Sequence, residues 1–199
     1  MDQPLTIRLV RHEKTKSNVE RKYLGWTDES ILNKLPLEPL SWAPERVYGS
    51  DLVRCQQTAR KYFTSSLYIG LTGLRELNFG QFELKSYEQL QQLPVYRQWI
   101  DNPYEVTPPC GEAFNDFKQR VLHTIFEVVR SGGQYVFVVH GGVIRLLLSM
   151  YDGTGRTFRD VEALHHTIYT LQWEKAADFI GGASCTLLLE EPLTASELT

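Results

Sequence analysis

Apolar residues along the chain come in short blocks whose period changes from one block to the next. Leu5–Val10 (LTIRLV) is a β-rich run that ends at Arg11-His12 and a polar stretch. Arg46–Gly49 follows the proline-containing segment Leu35–Pro44 and reads as a second short strand. Leu52, Cys55, Ala59 and Phe63 then recur at helical spacing, and Asp51 stands where an N-cap is wanted, which predicts a helix to about Phe63. Leu67–Leu71 reads as a third strand. From Leu84 to Ile100 the spacing is helical, but Pro94 interrupts it and predicts a kinked or broken pair. Pro108-Pro109-Cys110-Gly111 is a turn, and Glu112–Val129 is the longest amphipathic pattern, stopped by Gly132-Gly133.

Tyr135–Val139 (YVFVV) is apolar without alternation, as expected of a central strand covered on both faces. It ends at His140-Gly141-Gly142, and Val143–Met150 is again helical in pattern. Thr167–Trp173 and Ser184–Leu189 read as antiparallel or edge strands, and the polar tail Pro192–Thr199 is expected to fray. Strands alternating with helices predict an α/β fold, a three-layer α/β/α sandwich with a mostly parallel central sheet. A length of 199 residues fits one domain, 1–199, with a helical insertion near 84–109.

Composition narrows the classes. Hydrophobic residues at 42% and charged residues at 23% suit a soluble globular chain rather than a disordered one. With 21 Lys+Arg against 24 Asp+Glu the net charge is -3, which excludes a broadly basic nucleic-acid binder but leaves room for a local basic pocket. Three scattered cysteines, Cys55, Cys110 and Cys185, fit a reduced chain with neither a disulfide framework nor a metal motif. No signal peptide is expected at the N-terminus, and no apolar run reaches the ~20 residues of a membrane helix. A cytoplasmic protein without membrane association is the expectation.

Candidate chemistry gathers at two junctions. Arg11-His12 and His140-Gly141-Gly142 each stand past the end of an apolar strand and before a predicted helix, where open α/β sheets bind anions. Ser50-Asp51-Leu52-Val53-Arg54 opens another helix after a strand, with Arg54 expected about one turn inside it, where its planar fork can face an anion. Leu74-Arg75-Glu76-Leu77-Asn78-Phe79-Gly80 follows the third strand. Glu76 there is either a proton donor or a solvated glutamate, and spacing alone does not choose. His165-His166 lack a third ligand and read as structural or rim residues. His123 reads as a helix surface or core residue.

The blocks LVRHEKTKSN, YGSDLVRCQQTA, LRELNFGQFE and VVHGGVIRLLL, in this order and spacing, resemble the histidine phosphatase superfamily, also called phosphoglycerate mutase-like. PPCGEAFNDFKQRV resembles, more weakly, that family's Gly-Glu-Ser segment and the helix after it. The resemblance implies the phosphoglycerate mutase-like fold and a two-step phosphoryl transfer that uses no metal and no cofactor. It implies His12 as the nucleophile that becomes phosphohistidine. Arg11, Arg54 and His140 would bind the phosphoryl oxygens, with Asn18 and Gly141 completing the substrate pocket. Glu76 would protonate the leaving alkoxide and then activate water. A protonated His140 would add to the positive charge focused at the pocket.

Departures from the family pattern are local. Glu13 stands where a glycine is usual, Lys14 replaces an acid, and Ala113 replaces a serine. The stretch Ile31–Pro39 is proline-broken where a helix usually opens, so that helix is expected to be truncated. Only about thirty residues separate Gly80 from Gly111, which favours a phosphatase over the longer mutases. Among small phosphatases the blocks look most like alpha-ribazole phosphatases of cobalamin biosynthesis, with broad-specificity phosphatases nearly as similar. The expected partner is a small phosphorylated metabolite, bound by a monomer or homodimer. Specificity is assigned to the 84–109 insertion, where Tyr87, Tyr96, Trp99 and Tyr104 either stack on a leaving group or pack the insertion. A phosphoglycerate mutase-type phosphotransferase, and an inactive binder of a phosphorylated ligand, are the alternatives.

Overall fold

The computed structural model describes residues 3–33 and 44–193. Six strands form one sheet: β1 (Leu5–Arg11), β2 (Arg46–Ser50), β3 (Leu67–Leu71), β4 (Gly133–Val139), β5 (Thr167–Trp173) and β6 (Leu187–Pro192), in the order β3-β2-β4-β1-β5-β6. The first four pair in parallel, whereas β5 runs antiparallel to β1 and β6 antiparallel to β5. The sheet is therefore mixed, mostly parallel, with helices on both sides, as the pattern of blocks predicts.

β4 explains the architecture. Residues Val136 to Val139 are wholly buried, with Phe137 and Val139 in one apolar cluster and Val136 and Val138 in another. Successive side chains leave opposite faces of a strand, so an unalternated apolar run requires cover on both sides. The larger cluster takes α5 (Phe114–Val128) through Phe117, Val121 and Ile125, and α6 (Gly141–Tyr151) through Val143, Ile144 and Leu147. The smaller takes α2 (Val53–Tyr62) through Cys55, Ala59 and Tyr62.

The insertion breaks where expected. α3 (Tyr87–Leu90) ends before Pro94, and Pro94 opens α4 (Pro94–Asp101), a position where its missing N–H costs nothing. Tyr96 and Trp99 are buried against Phe82 and Tyr23, so they hold the insertion down. Tyr87 and Tyr104 stay exposed.

Several boundaries are corrected. Asp51 does not cap α2. Its carboxylate meets Arg75 in a two-point pair (Nε–Oδ1 2.7 Å, Nη2–Oδ2 2.5 Å), and a charge-assisted fork outcompetes a single backbone N–H. Asp28 caps from a distance instead, its Oδ1 accepting from the Val53 N–H at 2.8 Å. α5 starts at Phe114 rather than Glu112, because the Glu112 carboxylate is held by Arg120. α6 starts earlier, at Gly141, and takes both glycines into its first turn. β6 lies three residues beyond the expected strand, in the register its pairing with β5 sets. The short helix α1 (Lys16–Val19) is closed by a capping box between Thr15 and Asn18, and α7 (Ala176–Ile180) covers the β5 end. Most of the Ile31–Pro39 stretch and the tail beyond Leu193 lie outside the described residues. Among the described residues no helix is long and apolar enough to cross a membrane.

Candidate active site

Sheet order makes the site. β1 and β4 are parallel neighbours, with Arg11 opposite Val139, so the residues that follow leave the sheet side by side. His12 and His140 are the result, with ring centroids 5.1 Å apart. The His12 N–H donates to the Val139 carbonyl at 2.9 Å and fixes that exit. β2 lies on the other side of β4, so α2 starts at the same edge and carries Arg54 in its first turn, nearer the helix start than expected.

His12 is buried, and its Nδ1 lies 2.7 Å from the Glu13 carbonyl. A carbonyl only accepts, so Nδ1 carries the hydrogen and Nε2 keeps its lone pair, the form a nucleophilic imidazole needs. Burial, then the charges of Arg54 and Arg11, hold its pKa well below the ordinary histidine value. His165 donates from Nδ1 to the His12 carbonyl at 2.8 Å. Burial and Arg11 push the His165 pKa down to about 4.

His140 is fully buried and accepts at Nδ1 from Arg54 Nε at 3.3 Å, so its hydrogen sits on Nε2, toward Cys55 Sγ at 3.6 Å. Burial, followed by Arg54, also drives its pKa well below the ordinary value. It is therefore neutral here, against the expectation of an imidazolium: two guanidiniums nearby already supply the positive charge. Arg54 is fully buried, with Nη1 donating to Thr27 O at 2.9 Å and Nη2 to Gly25 O at 2.6 Å. Arg11 donates from Nη1 to Ala163 O at 2.5 Å, while its Nε is buried with no protein partner among the described residues.

Glu76 faces this group across the start of α6. Its Oε2 accepts from the Gly142 N–H and its Oε1 from the Leu77 N–H, both at 2.8 Å. A Cβ on Gly142 would lie 2.0 Å from Glu76 Oε1, so only glycine permits the approach. Gly141 packs on Arg11 less tightly, a Cβ there lying 3.3 Å from Arg11 Cζ. Asn18 lines the cleft but spends its Oδ1 on the Thr15 N–H at 3.1 Å. Thus Arg11, His12, Arg54, Glu76, His140 and Gly141 meet at one sheet edge, with Asn18 on the cleft wall.

Other site residues escaped the sequence reading. The Glu76 carbonyl accepts from Trp26 Nε1 at 2.9 Å and from Arg120 Nη2 at 2.8 Å, so two elements far apart in sequence carry it. Glu83 holds the loop bearing the Arg54 acceptors, taking the Trp26 N–H at 2.8 Å and the Thr27 N–H at 2.7 Å. Arg145 lines the cleft, and its Nε is buried without a partner among the described residues. Its place four residues after Gly141, hence on one helical face with it, is the signal that could have found it. His165, read from sequence as a structural or rim residue, stands with Lys14, Arg21 and Lys22 on the rim beside Arg11. The opposite wall is aromatic, with Tyr104 and Phe158 edge-on to Phe114 at 4.9 and 5.0 Å. Among the described residues no three His, Cys, Asp or Glu side chains gather as a metal site.

Two guanidiniums, two neutral imidazoles and a carboxylate on a helix N-terminus can bind a tetrahedral dianion and pass protons beside it. The chain is 27% identical over 176 residues to a 2,3-bisphosphoglycerate-dependent phosphoglycerate mutase of Methylorubrum extorquens, covering 77% of this chain and 82% of that protein. It is 27% identical over 159 residues to the adenosylcobalamin/alpha-ribazole phosphatase of Escherichia coli K12, covering 73% and 78%. The alpha-ribazole phosphatase structure from Shigella flexneri superposes with a TM-score of 0.72 at 23% identity, covering 84% of this chain and 90% of that one, and shares the fold. The family model of the histidine phosphatase superfamily, branch 1, matches residues 7–180, and the chain belongs to that superfamily.

Proposed function

We propose that the protein is a metal-independent phosphomonoesterase that works through a phosphohistidine on His12. The reading is carried by one observation: the His12 Nε2 is left unshared by the Nδ1–Glu13 bond, among Arg11, Arg54 and His140, with Glu76 fixed across from it. In the first step Nε2 attacks phosphorus and the ester oxygen leaves, taking a proton delivered through Glu76. In the second, Glu76 takes a proton from water as that water attacks the phosphohistidine, and inorganic phosphate departs. Phosphoryl transfer asks mainly for positioning and for charge complementary to three oxygens, which the two guanidiniums supply.

Alpha-ribazole 5′-phosphate is the proposed substrate, supported by the Escherichia coli relative and by an aromatic wall suited to a flat leaving group. A mutase reading has its own support in the unpaired Arg145, which suits a second acidic group such as that of a phosphoglycerate. Chain length does not separate the two, since the mutase relative is itself covered over 82% of its length. The test is hydrolysis of p-nitrophenyl phosphate in excess EDTA. Turnover with an acid-labile phosphoenzyme, both lost in His12→Ala, supports the hydrolase; no turnover and no phosphoenzyme overturns it. A panel of alpha-ribazole 5′-phosphate, 3-phosphoglycerate and fructose 2,6-bisphosphate then ranks substrates by kcat/KM.

A further inference from the structure

Glu13, which follows the proposed nucleophile, turns its side chain away from the cleft and into the protein. Glu13 and Lys61 are both buried, and Lys61 Nζ lies 3.3 Å from Glu13 Oε1. The Tyr62 hydroxyl donates to the same oxygen. Burial and the Glu13 carboxylate raise the Tyr62 pKa, which keeps that hydroxyl a donor. His166 Nδ1 approaches Oε1 from the exposed side at 3.4 Å. The backbone of Glu13 is held as well, its N–H donating to Thr58 Oγ1 at 2.9 Å, and Thr58 Oγ1 donates in turn to Arg54 O at 2.7 Å.

Arg54, Thr58, Lys61 and Tyr62 fall at i, i+4, i+7 and i+8, one face of α2. A single helix face thus presents a phosphate-binding arginine and three groups that grip residue 13. What they grip matters, because the Glu13 carbonyl takes the His12 Nδ1–H. A buried ion pair is a poor device for raw stability, since its desolvation cost offsets the attraction. Its geometry is nonetheless specific, and here that geometry ends on the acceptor that sets the nucleophile's tautomer.

We infer that Glu13 is a positioning residue whose side chain, clamped by Lys61 and Tyr62, fixes the peptide carbonyl that holds the His12 ring and leaves Nε2 free. This rests on the reading of His12 as nucleophile, but the ring tautomer can be observed without any substrate. Nitrogen-15 spectra of the imidazole rings are simple in a chain with five histidines. The variant of choice is Glu13→Gln with Lys61→Met, which removes both charges and leaves neither buried alone. Lys61→Met alone, paired with Lys61→Arg, gives the conservative rescue.

In wild type His12 is expected as the Nδ1–H tautomer. In the double variant a mixed or averaged tautomer should appear, with phosphoenzyme formation slowed about 10- to 100-fold and KM unchanged. Lys61→Arg should retain the tautomer that Lys61→Met loses. A folded double variant with a wild-type His12 spectrum overturns the inference, whatever its rate. Should the double variant not fold, Lys61→Met carries the same decision by the same spectrum. A tautomer change in a protein that hydrolyses no phosphomonoester would overturn the proposed activity and leave this inference standing.

Discussion

Two guanidiniums and deep burial decide when the two facing histidines carry protons. For His12, burial first and Arg54 next disfavour the imidazolium, so the neutral, nucleophilic ring persists below the ordinary histidine value of about 6.5. The acid limb of kcat/KM should therefore lie below pH 6.5 in a pH–rate profile, and a limb at or above that value contradicts the burial argument. His140 reports on the ligand. Burial first, and Arg54 next, keep it neutral, and a bound phosphate dianion opposes the Arg54 effect, so titrating inorganic phosphate into the protein should raise its pKa, read from ring chemical shifts. Glu76 separates binding from chemistry. Glu76→Gln keeps the acceptor for the Gly142 N–H but cannot shuttle a proton, so kcat should fall roughly 10²- to 10⁴-fold. Competitive inhibition by phosphate should stay as in wild type.

At the level of elements, the start of α6 is the tightest joint. Its first two residues are glycines because Arg11 and Glu76 lie against them, and neither is needed for a positive φ. Gly142→Ala should displace the Glu76 carboxylate and lower kcat/KM on the order of 10²-fold, with the fold intact by circular dichroism. Gly141→Ala, whose Cβ meets Arg11 at 3.3 Å, should cost far less. An equal loss in both would mean that the helix start, and not the Glu76 contact, is what alanine disturbs. The same elements show what sequence makes legible. β4 could be read because burial on both faces leaves an unalternated run, and the break at Pro94 because proline acts on its own backbone. Arg11, His12 and His140 could be placed because strand ends need only local pattern. Asp51 reads as an N-cap because its partner Arg75 lies out of sight beyond β3, and the β6 boundary is not local because pairing with β5 sets it. Arg120 carries no local signal of its role, and Arg145 carries only its place four residues after Gly141. Only the fold brings Arg120 under the Glu76 carbonyl and turns Arg145 into the cleft.

Over the whole molecule, a net charge of -3 coexists with a cationic site, and the neutral state of His140 leaves that charge to Arg11, Arg54, Arg145 and the Lys14–Lys22 rim. The same neutral histidines tie folding to pH. His12, His140 and His165 all have pKa values lowered by burial, so between those values and about 6.5 the unfolded chain binds more protons than the folded one. Stability from these groups is complete above pH 6.5 and is lost as pH falls below it, for His165 down to about 4. Each proton of difference is worth about 1.4 kcal/mol per pH unit. Urea titrations from pH 7 to pH 5 should show the midpoint falling, with a slope corresponding to an uptake of two to three protons on unfolding. His140→Gln should remove about one proton from that slope, and saturating phosphate should reduce it too, because the bound dianion lets His140 charge within the fold. A midpoint unchanged across this range would mean that the three rings are solvated in solution and that the site is more open than its geometry implies.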